Sequence, residues 1–133
     1  METTNEAVKL LICEDERIVA LDLKTRLNKL GYNVVGMAAE GEEAFLLAKE
    51  NEPDCILMDI QLEGDSLGTE VAAIIQQELD IPSIYLTAYS GIETVERAKT
   101  ANPLGYLVKP VNDRDLDITI RIGLAQHQAR MKL

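Results

Sequence analysis

The stretch LLICEDE, residues 10–16, runs from four apolar residues directly into three carboxylates. An apolar run of this kind fits the middle of a buried β-strand. Like charges placed this close repel one another and are costly to remove from water. The stretch therefore predicts that a central strand ends at Cys13 and that positive charge meets the acids that follow it.

Four more β-rich apolar runs follow the first, and amphipathic stretches separate them. The five runs lie at 8–13, 32–37, 55–58, 81–86 and 105–108. Alternating strands and helices force parallel pairing with right-handed crossovers, because each helix must return the chain to the same end of the sheet. The pattern predicts five strand–helix pairs in a doubly wound α/β sandwich, with helices on both faces of a parallel sheet.

Apolar stripes support the helices of this arrangement. The first stripe consists of Val19, Leu23, Leu27 and Leu30, and the third helix repeats it with Val71, Ile74, Ile75 and Leu79. Gly31 can terminate the first helix. Asn112 can cap a last helix beginning at Asp113, with Asp115 in its first turn, and the core stripe of that helix is Leu116, Ile120 and Leu124.

Composition limits the possible functions. The chain has 133 residues, 47% of them apolar, and a formal charge of -10, so we expect one soluble domain that repels nucleic acid and anionic membranes. No apolar segment is long enough to cross a bilayer and no signal sequence begins the chain, which favours a cytoplasmic location. Cys13 and Cys55 lie in apolar runs and are interpreted as core residues rather than as a disulfide.

Polar side chains follow four of the predicted strands. They are Glu14, Asp15, Asp59, Thr87 and Lys109. Each one alone is explained by a helix cap, a turn or solvation. Functional groups of doubly wound sheets gather beyond the carboxyl ends of the strands, however, so these five should converge. Carboxylate oxygens suit a hard cation such as magnesium, and the ammonium and hydroxyl groups could hold a phosphoryl group beside it.

The segments CEDE, ILMDI, YLTAY and GYLVKP resemble the receiver domain of two-component response regulators, over nearly the whole chain. The resemblance implies the flavodoxin-like strand order 2-1-3-4-5. It implies that Asp59 is the phosphoacceptor and that Asp15 and Asp59 bind magnesium with their side chains. Glu14 would act mainly through metal-bound water, and the Gln61 carbonyl would complete the protein's ligands.

The same resemblance implies a switch domain rather than an enzyme, which takes a phosphoryl group from the phosphohistidine of a sensor kinase or phosphotransfer protein. Lys109 would neutralise charge during transfer, and the Lys109–Pro110 bond would be cis. Thr87 and the N–H of Ala88 would bind the new phosphate. Tyr106 would turn inward; the alternative is an ordinary aromatic residue on an edge strand. After the acceptor, Glu63 stands where the family usually has proline, which bears on partner choice and phosphate lifetime.

The domain boundaries follow from the same patterns. We expect a single receiver domain over 1–133, with a core over about 7–125 and a helical C-terminal extension over 126–133. The protein is either a free receiver or, as we slightly prefer, a segment of a longer sensory protein whose last helix continues. Receivers often form homodimers through their fourth and fifth helices, but the sequence does not decide this.

Four other functions were weighed. A flavodoxin-like cofactor binder needs a first loop that accepts a bare phosphate, which CEDE would repel. An aspartate-nucleophile phosphatase usually has a second aspartate where this chain has Gln61. Histidine phosphotransfer by His127 needs a helical bundle, so His127 is interpreted as a solvated surface residue. A receiver fold that acts only as a protein-binding scaffold remains open.

Overall fold

The structure, a computed structural model, describes residues 7–60, 68–88 and 103–131. Within them the strands are β1 (Lys9–Cys13), β2 (Asn33–Ala38), β3 (Cys55–Asp59), β4 (Ser83–Thr87) and β5 (Gly105–Val108). The helices are α1 (Arg17–Lys29), α2 (Gly41–Asn51), α3 (Gly68–Leu79) and α4 (Asp113–Met131). The helix predicted between β4 and β5 falls at residues outside the described ranges. The last predicted helix is α4.

The strands form one parallel sheet in the order β2-β1-β3-β4-β5, which confirms the predicted fold and strand order. β4 begins at Ser83 and not at residue 81 as predicted. Pro82 precedes it and has no N–H to donate, while its carbonyl accepts the N–H of Ile56 at 3.0 Å. β1 and β3 lie inside the sheet and are buried on both faces, as their unbroken apolar runs indicate.

The two faces of the sheet carry separate hydrophobic clusters. Leu10 and Ile12 pack toward α1 and α4, whereas Leu11 and Cys13 pack toward α2 and α3. Successive side chains of a strand point to opposite faces, so one apolar run supplies both cores. Cys13 and Cys55 are buried free thiols, as predicted, and burial raises the pKa of each to about 12.

The predicted stripe of α1 is largely confirmed. Leu23 and Leu27 are buried, while Val19 and Leu30 pack against the same core at partial exposure. The helix ends at Lys29, and Gly31 then adopts a φ of +98°, a left-handed conformation that glycine adopts without steric cost.

The predicted stripe of α3 is wrong at Ile74, whose side chain is 51% exposed. The buried face of α3 includes Gly68, Ala72 and Ile75. Their spacing of four and three residues defines one side of the helix, and the small residues bring that side close to the sheet. Ile74 precedes Ile75 by about 100° of helical rotation and therefore faces outward.

Helix α4 begins as predicted. The N–H of Asp115 donates to Oδ1 of Asn112 at 2.7 Å, which caps the helix, and Leu116, Ile120 and Leu124 are buried. The helix continues to Met131, and His127 lies partly exposed on its surface. None of the helices in the described ranges combines the length and the apolar character that crossing a membrane requires.

Candidate functional site

Four strand ends place the predicted polar residues along one edge of the sheet. Asp59 and Thr87 are the last residues of β3 and β4, while Glu14 and Lys109 directly follow β1 and β5. The parallel register aligns these ends, since Cys13 pairs with Met58 and Thr87 with Val108. Residues distant in sequence are therefore brought together, as expected from the fold.

Lys109 bridges two of the acids. Its Nζ donates to Oδ2 of Asp59 at 2.9 Å and to Oε1 of Glu14. Glu14 and Asp59 are buried, with 2% and 6% of their surface exposed. Burial alone would lower the pKa of Lys109, but hydrogen bonds and attraction to the two carboxylates outweigh it and raise that pKa above its usual value. Lys109 is the positive partner that the acidic stretch requires.

Asp15 completes a group of three carboxylates. One oxygen each of Glu14, Asp15 and Asp59 lies within 4.8 Å of the others. Burial raises the pKa of Asp15 above its usual value, and its hydrogen bond to Glu14 and repulsion by that residue add to the effect. Three carboxylates and one ammonium leave a net charge of two negative units. These oxygens and this charge fit a magnesium ion.

The local backbone orients the acids. Oε2 of Glu14 accepts the N–H of Glu16 at 3.1 Å, and the N–H of Glu14 donates to the Ala38 carbonyl at 2.9 Å. These bonds hold Glu14 between β2 and α1. Gln61, which was predicted to contribute a carbonyl, lies outside the described residues.

Thr87 and Tyr106 occupy the neighbouring strands. Thr87 is 9% exposed, and its carbonyl accepts the N–H of Lys109 at 2.7 Å. Tyr106 is 41% exposed, and its ring centroid lies 6.1 Å from that of the buried Tyr85 at an interplanar angle of 55°. The hydroxyl of Tyr85 has no hydrogen-bond partner in the part of the chain that the structure describes. The backbone of Lys109 thus couples the end of β4 to the end of β5.

Two features of the site were not predicted from the sequence. A Cβ on Gly68 would lie 1.9 Å from the Asp59 carbonyl oxygen, so only glycine fits at this position. Arg26 donates to Oδ1 of Asp113 at 2.6 Å and to the Val111 carbonyl, which ties α1 to the segment after Lys109. The glycine near the predicted acceptor could have indicated the close approach at Gly68. No local sequence pattern indicates the contacts of Arg26.

The Lys109–Pro110 peptide bond is cis, as predicted. An apolar groove of about 490 Å³ lies beside it, and its lining includes Ile18, Leu23 and Val111. Ile18 is 84% exposed. Lys109, but none of the three carboxylates, therefore borders an open apolar surface on α1.

The fold and this arrangement of residues are those of a receiver domain. The chain belongs to the response regulator receiver domain family, whose model matches residues 10–121. This confirms the resemblance inferred from the sequence.

Individual relatives agree with the family. The chain is 36% identical over 118 residues to the transcriptional regulatory protein PdtaR of Mycobacterium tuberculosis, covering 89% of this chain and 57% of PdtaR. It is 32% identical over 124 residues to the phyllosphere-induced regulator PhyR of Methylorubrum extorquens, covering 92% of this chain and 46% of PhyR. The chain therefore spans about half the length of these relatives.

A similar solved structure is the signal receiver domain of a modulated diguanylate cyclase from Desulfovibrio desulfuricans. It is 38% identical, with a TM-score of 0.87 and coverage of 94% of this chain and 99% of that one. A CheY-like receiver domain protein from Methanospirillum hungatei is 29% identical, with a TM-score of 0.82 and coverage of 94% and 99%.

Proposed function

We propose that Asp59 accepts a phosphoryl group from the phosphohistidine of a sensor histidine kinase or phosphotransfer protein. The observation that carries the proposal is the contact of the Asp59 carboxylate with Lys109 at 2.9 Å, in a group of three carboxylates at the end of a buried strand. Three carboxylates held this close repel one another, and this repulsion destabilises the fold unless positive charge neutralises it. The domain would act as a switch that is modified, and not as an enzyme that turns over a substrate.

The phosphoryl transfer would be a displacement at phosphorus. A carboxylate oxygen of Asp59 forms a bond to the phosphorus as the bond between phosphorus and the histidine nitrogen breaks, and an acyl phosphate results. Lys109 neutralises negative charge on the transferring oxygens. Magnesium, held by Asp15 and Asp59 with Glu14 acting through metal-bound water, would supply further neutralisation when bound. The Gln61 carbonyl is retained in this proposal as a further ligand.

The response to phosphorylation would follow from the neighbouring strands. Thr87 and the N–H of Ala88 would donate to the phosphate oxygens and draw their segment toward Asp59. Tyr106, which is 41% exposed, would then turn inward toward the space beside Tyr85. Support for this step comes from the hydroxyl of Tyr85, which has no hydrogen-bond partner among the described residues, and from the partly exposed position of Tyr106.

The groove on α1 is the proposed docking surface for the phosphodonor protein. It borders Lys109 and exposes Ile18, so an apolar helix seated there would bring its phosphohistidine close to Asp59. PdtaR is named a transcriptional regulatory protein, and PhyR of Bartonella quintana is described as an anti-anti-sigma factor. On that analogy the output would be control of transcription through a protein partner, and not direct contact with nucleic acid.

Labelling with acetyl phosphate and magnesium, read by intact mass, tests the acceptor. The unmodified protein should gain one phosphoryl group and Asp59→Asn should gain none, while Asp22→Asn, an exposed acid on α1, serves as the matched control. Undiminished labelling of Asp59→Asn would overturn the assignment. No labelling of the unmodified protein would favour the scaffold alternative.

A second experiment tests the donor surface. Ile18→Ser should slow transfer from a phosphorylated histidine kinase domain at least about tenfold and leave labelling by acetyl phosphate unchanged. Leu21→Ser is the control, because Leu21 lies on the same helix at 42% exposure but outside the groove. Equal slowing by both variants would show that the groove is not the docking surface.

A further inference from the structure

A second apolar groove lies between α2 and α3, away from the acidic site. Its volume is about 450 Å³, and its lining includes Phe45, Leu46, Val71 and Ile74. Leu46 is 57% exposed and Ile74 is 51% exposed, whereas Phe45 and Val71 are partly buried in the core below. Two large apolar side chains are thus about half exposed at the middle of adjacent helices, so a partner that covers them would be favoured by the hydrophobic effect.

Helices α2 and α3 approach each other closely beneath the groove. A Cβ on Gly41 would lie 2.5 Å from a methyl group of Val71, so the absence of a side chain allows this contact. The helices are also anchored to the sheet through Ala44, Ala48 and Ala72. The surface is therefore preformed, which lowers the entropic cost of binding.

Glutamates flank both exposed apolar residues. They are Glu42, Glu50, Glu70 and Glu78, and all four are exposed. Two lie four residues before and after Leu46, and two lie four residues before and after Ile74. Positions four apart share a helix face, so each apolar residue has a carboxylate one turn above it and one turn below it. The two helices together carry five acids and a single base, Lys49.

We propose that this groove, named here the α2–α3 groove, binds a basic amphipathic helix of a protein partner. Such a helix places apolar side chains between Leu46 and Ile74 and arginine or lysine residues against the four glutamates. A second copy of this surface would bring acids against acids. Phosphates of nucleic acid and anionic lipid headgroups would be repelled by the same charges.

The interaction does not rest on phosphorylation of Asp59. The groove lies on the outer side of α2 and α3, and no ligand of the acidic site lines it. A failure to detect peptide binding at the groove would not contradict the proposed phosphotransfer. Likewise, a failure to phosphorylate Asp59 would not contradict binding at the groove.

Binding of a synthetic peptide tests the proposal. The probe is a helical peptide of about 15 residues with leucine at helical spacing on one face and arginine on the flanks. Amide chemical shifts of the isotopically labelled protein should change along α2 and α3 during titration. Affinity should fall steeply with added salt, and a peptide with glutamate in place of arginine should bind at least about tenfold more weakly.

Matched variants locate the site. Leu46→Gln/Ile74→Gln should weaken binding at least about tenfold, whereas Ile118→Gln/Ile122→Gln, which alters exposed apolar residues of α4, should not. Changes centred on other elements, or equal loss with both variants, would overturn the proposal.

A pair of charge-matched double variants distinguishes binding at the α2–α3 groove from attraction to the overall negative charge of the chain. Glu50→Gln/Glu70→Gln should reduce the affinity for the arginine peptide more than Asp22→Asn/Asp113→Asn, which removes the same charge from exposed acids elsewhere. Equal effects would mean that only net charge matters. Self-association that Leu46→Gln/Ile74→Gln abolishes would assign the groove to a second copy and would also overturn the proposal.

Discussion

Asp59→Asn should stabilise the metal-free protein and reduce its response to magnesium. The change removes one of three carboxylates whose oxygens lie within 4.8 Å of one another. It also removes one of the two charged partners of Lys109, which keeps its contact with Glu14. The sign of the effect depends on whether the lost repulsion exceeds the lost attraction.

The distances between the charged groups allow the lost repulsion to be compared with the lost attraction. Two unit charges 4.8 Å apart interact by about 3.5 kcal/mol at an effective dielectric constant of about 20, so Asp59 feels at least about 7 kcal/mol of repulsion from Glu14 and Asp15. Its attraction to Lys109 at 2.9 Å is about 5.7 kcal/mol on the same scale. The difference is about 1 kcal/mol in favour of the variant, equivalent to a rise of about 3 °C in melting midpoint.

Magnesium should narrow the difference between the two proteins. At about ten times its dissociation constant, a ligand that binds only the folded state stabilises it by about 1.4 kcal/mol. Asp59→Asn removes a magnesium ligand and should show a smaller rise. The assay is thermal melting of both proteins in chelator and in magnesium, with Asp22→Asn as the control whose magnesium response should stay unchanged. If magnesium left the melting midpoint of the unmodified protein unchanged, the carboxylates would not be a metal site and the reasoning would fail.

Three further changes test the surroundings of the site and the contact between Tyr32 and Asp117 of α4. Lys109→Met should destabilise the protein by about 3 kcal/mol in chelator melts, because it leaves buried carboxylates without a cation, and an unchanged midpoint would contradict the ion pairs. Gly68→Ala should cost about 1–3 kcal/mol in denaturant unfolding, since its Cβ collides with the Asp59 carbonyl, and a neutral result would refute that close packing. Tyr32 donates to Asp117 at 2.6 Å and lowers the pKa of that carboxyl, so Tyr32→Phe should cost about 1 kcal/mol near neutral pH. A carboxyl with a depressed pKa loses its contribution as pH falls through the folded-state value, so this cost should shrink below about pH 4 in unfolding measured across pH, and a constant difference would exclude the linkage.

The fold was predictable because its signals are local and repeat five times. Unbroken apolar runs identify strands buried on both faces, and a parallel sheet then follows from the helices between them. The failure at Ile74 shows the limit of this reasoning. Hydropathy does not distinguish two adjacent isoleucines, and the buried one is selected by the small residues Gly68 and Ala72, which set how closely α3 approaches the sheet.

The site was predictable to the extent that it lies at strand ends. Glu14, Asp59 and Lys109 could be brought together from topology alone, because parallel strands end at a common edge. Contacts that long side chains make between different helices and loops could not be predicted in this way. Arg26 reaches the segment after Lys109 across 85 residues of sequence, and no periodic pattern marks such a pair.

Lys109 explains how a chemical change at the acceptor could reach the surface of the domain. Its ammonium contacts Asp59, its N–H bonds to the carbonyl of Thr87, and Tyr106 lies three residues before it on β5. On the proposed function, phosphorylation replaces the single charge of Asp59 by about two negative charges on an acyl phosphate, so the group of three carboxylates and Lys109 changes from two negative charges to about three. The added charge lies on oxygens farther from the strand, where Lys109 and Thr87 must move to meet it. Because Lys109 and Thr87 are joined by a backbone hydrogen bond, β4 and β5 would respond together, and Tyr106 would be displaced by the same event that neutralises the phosphate.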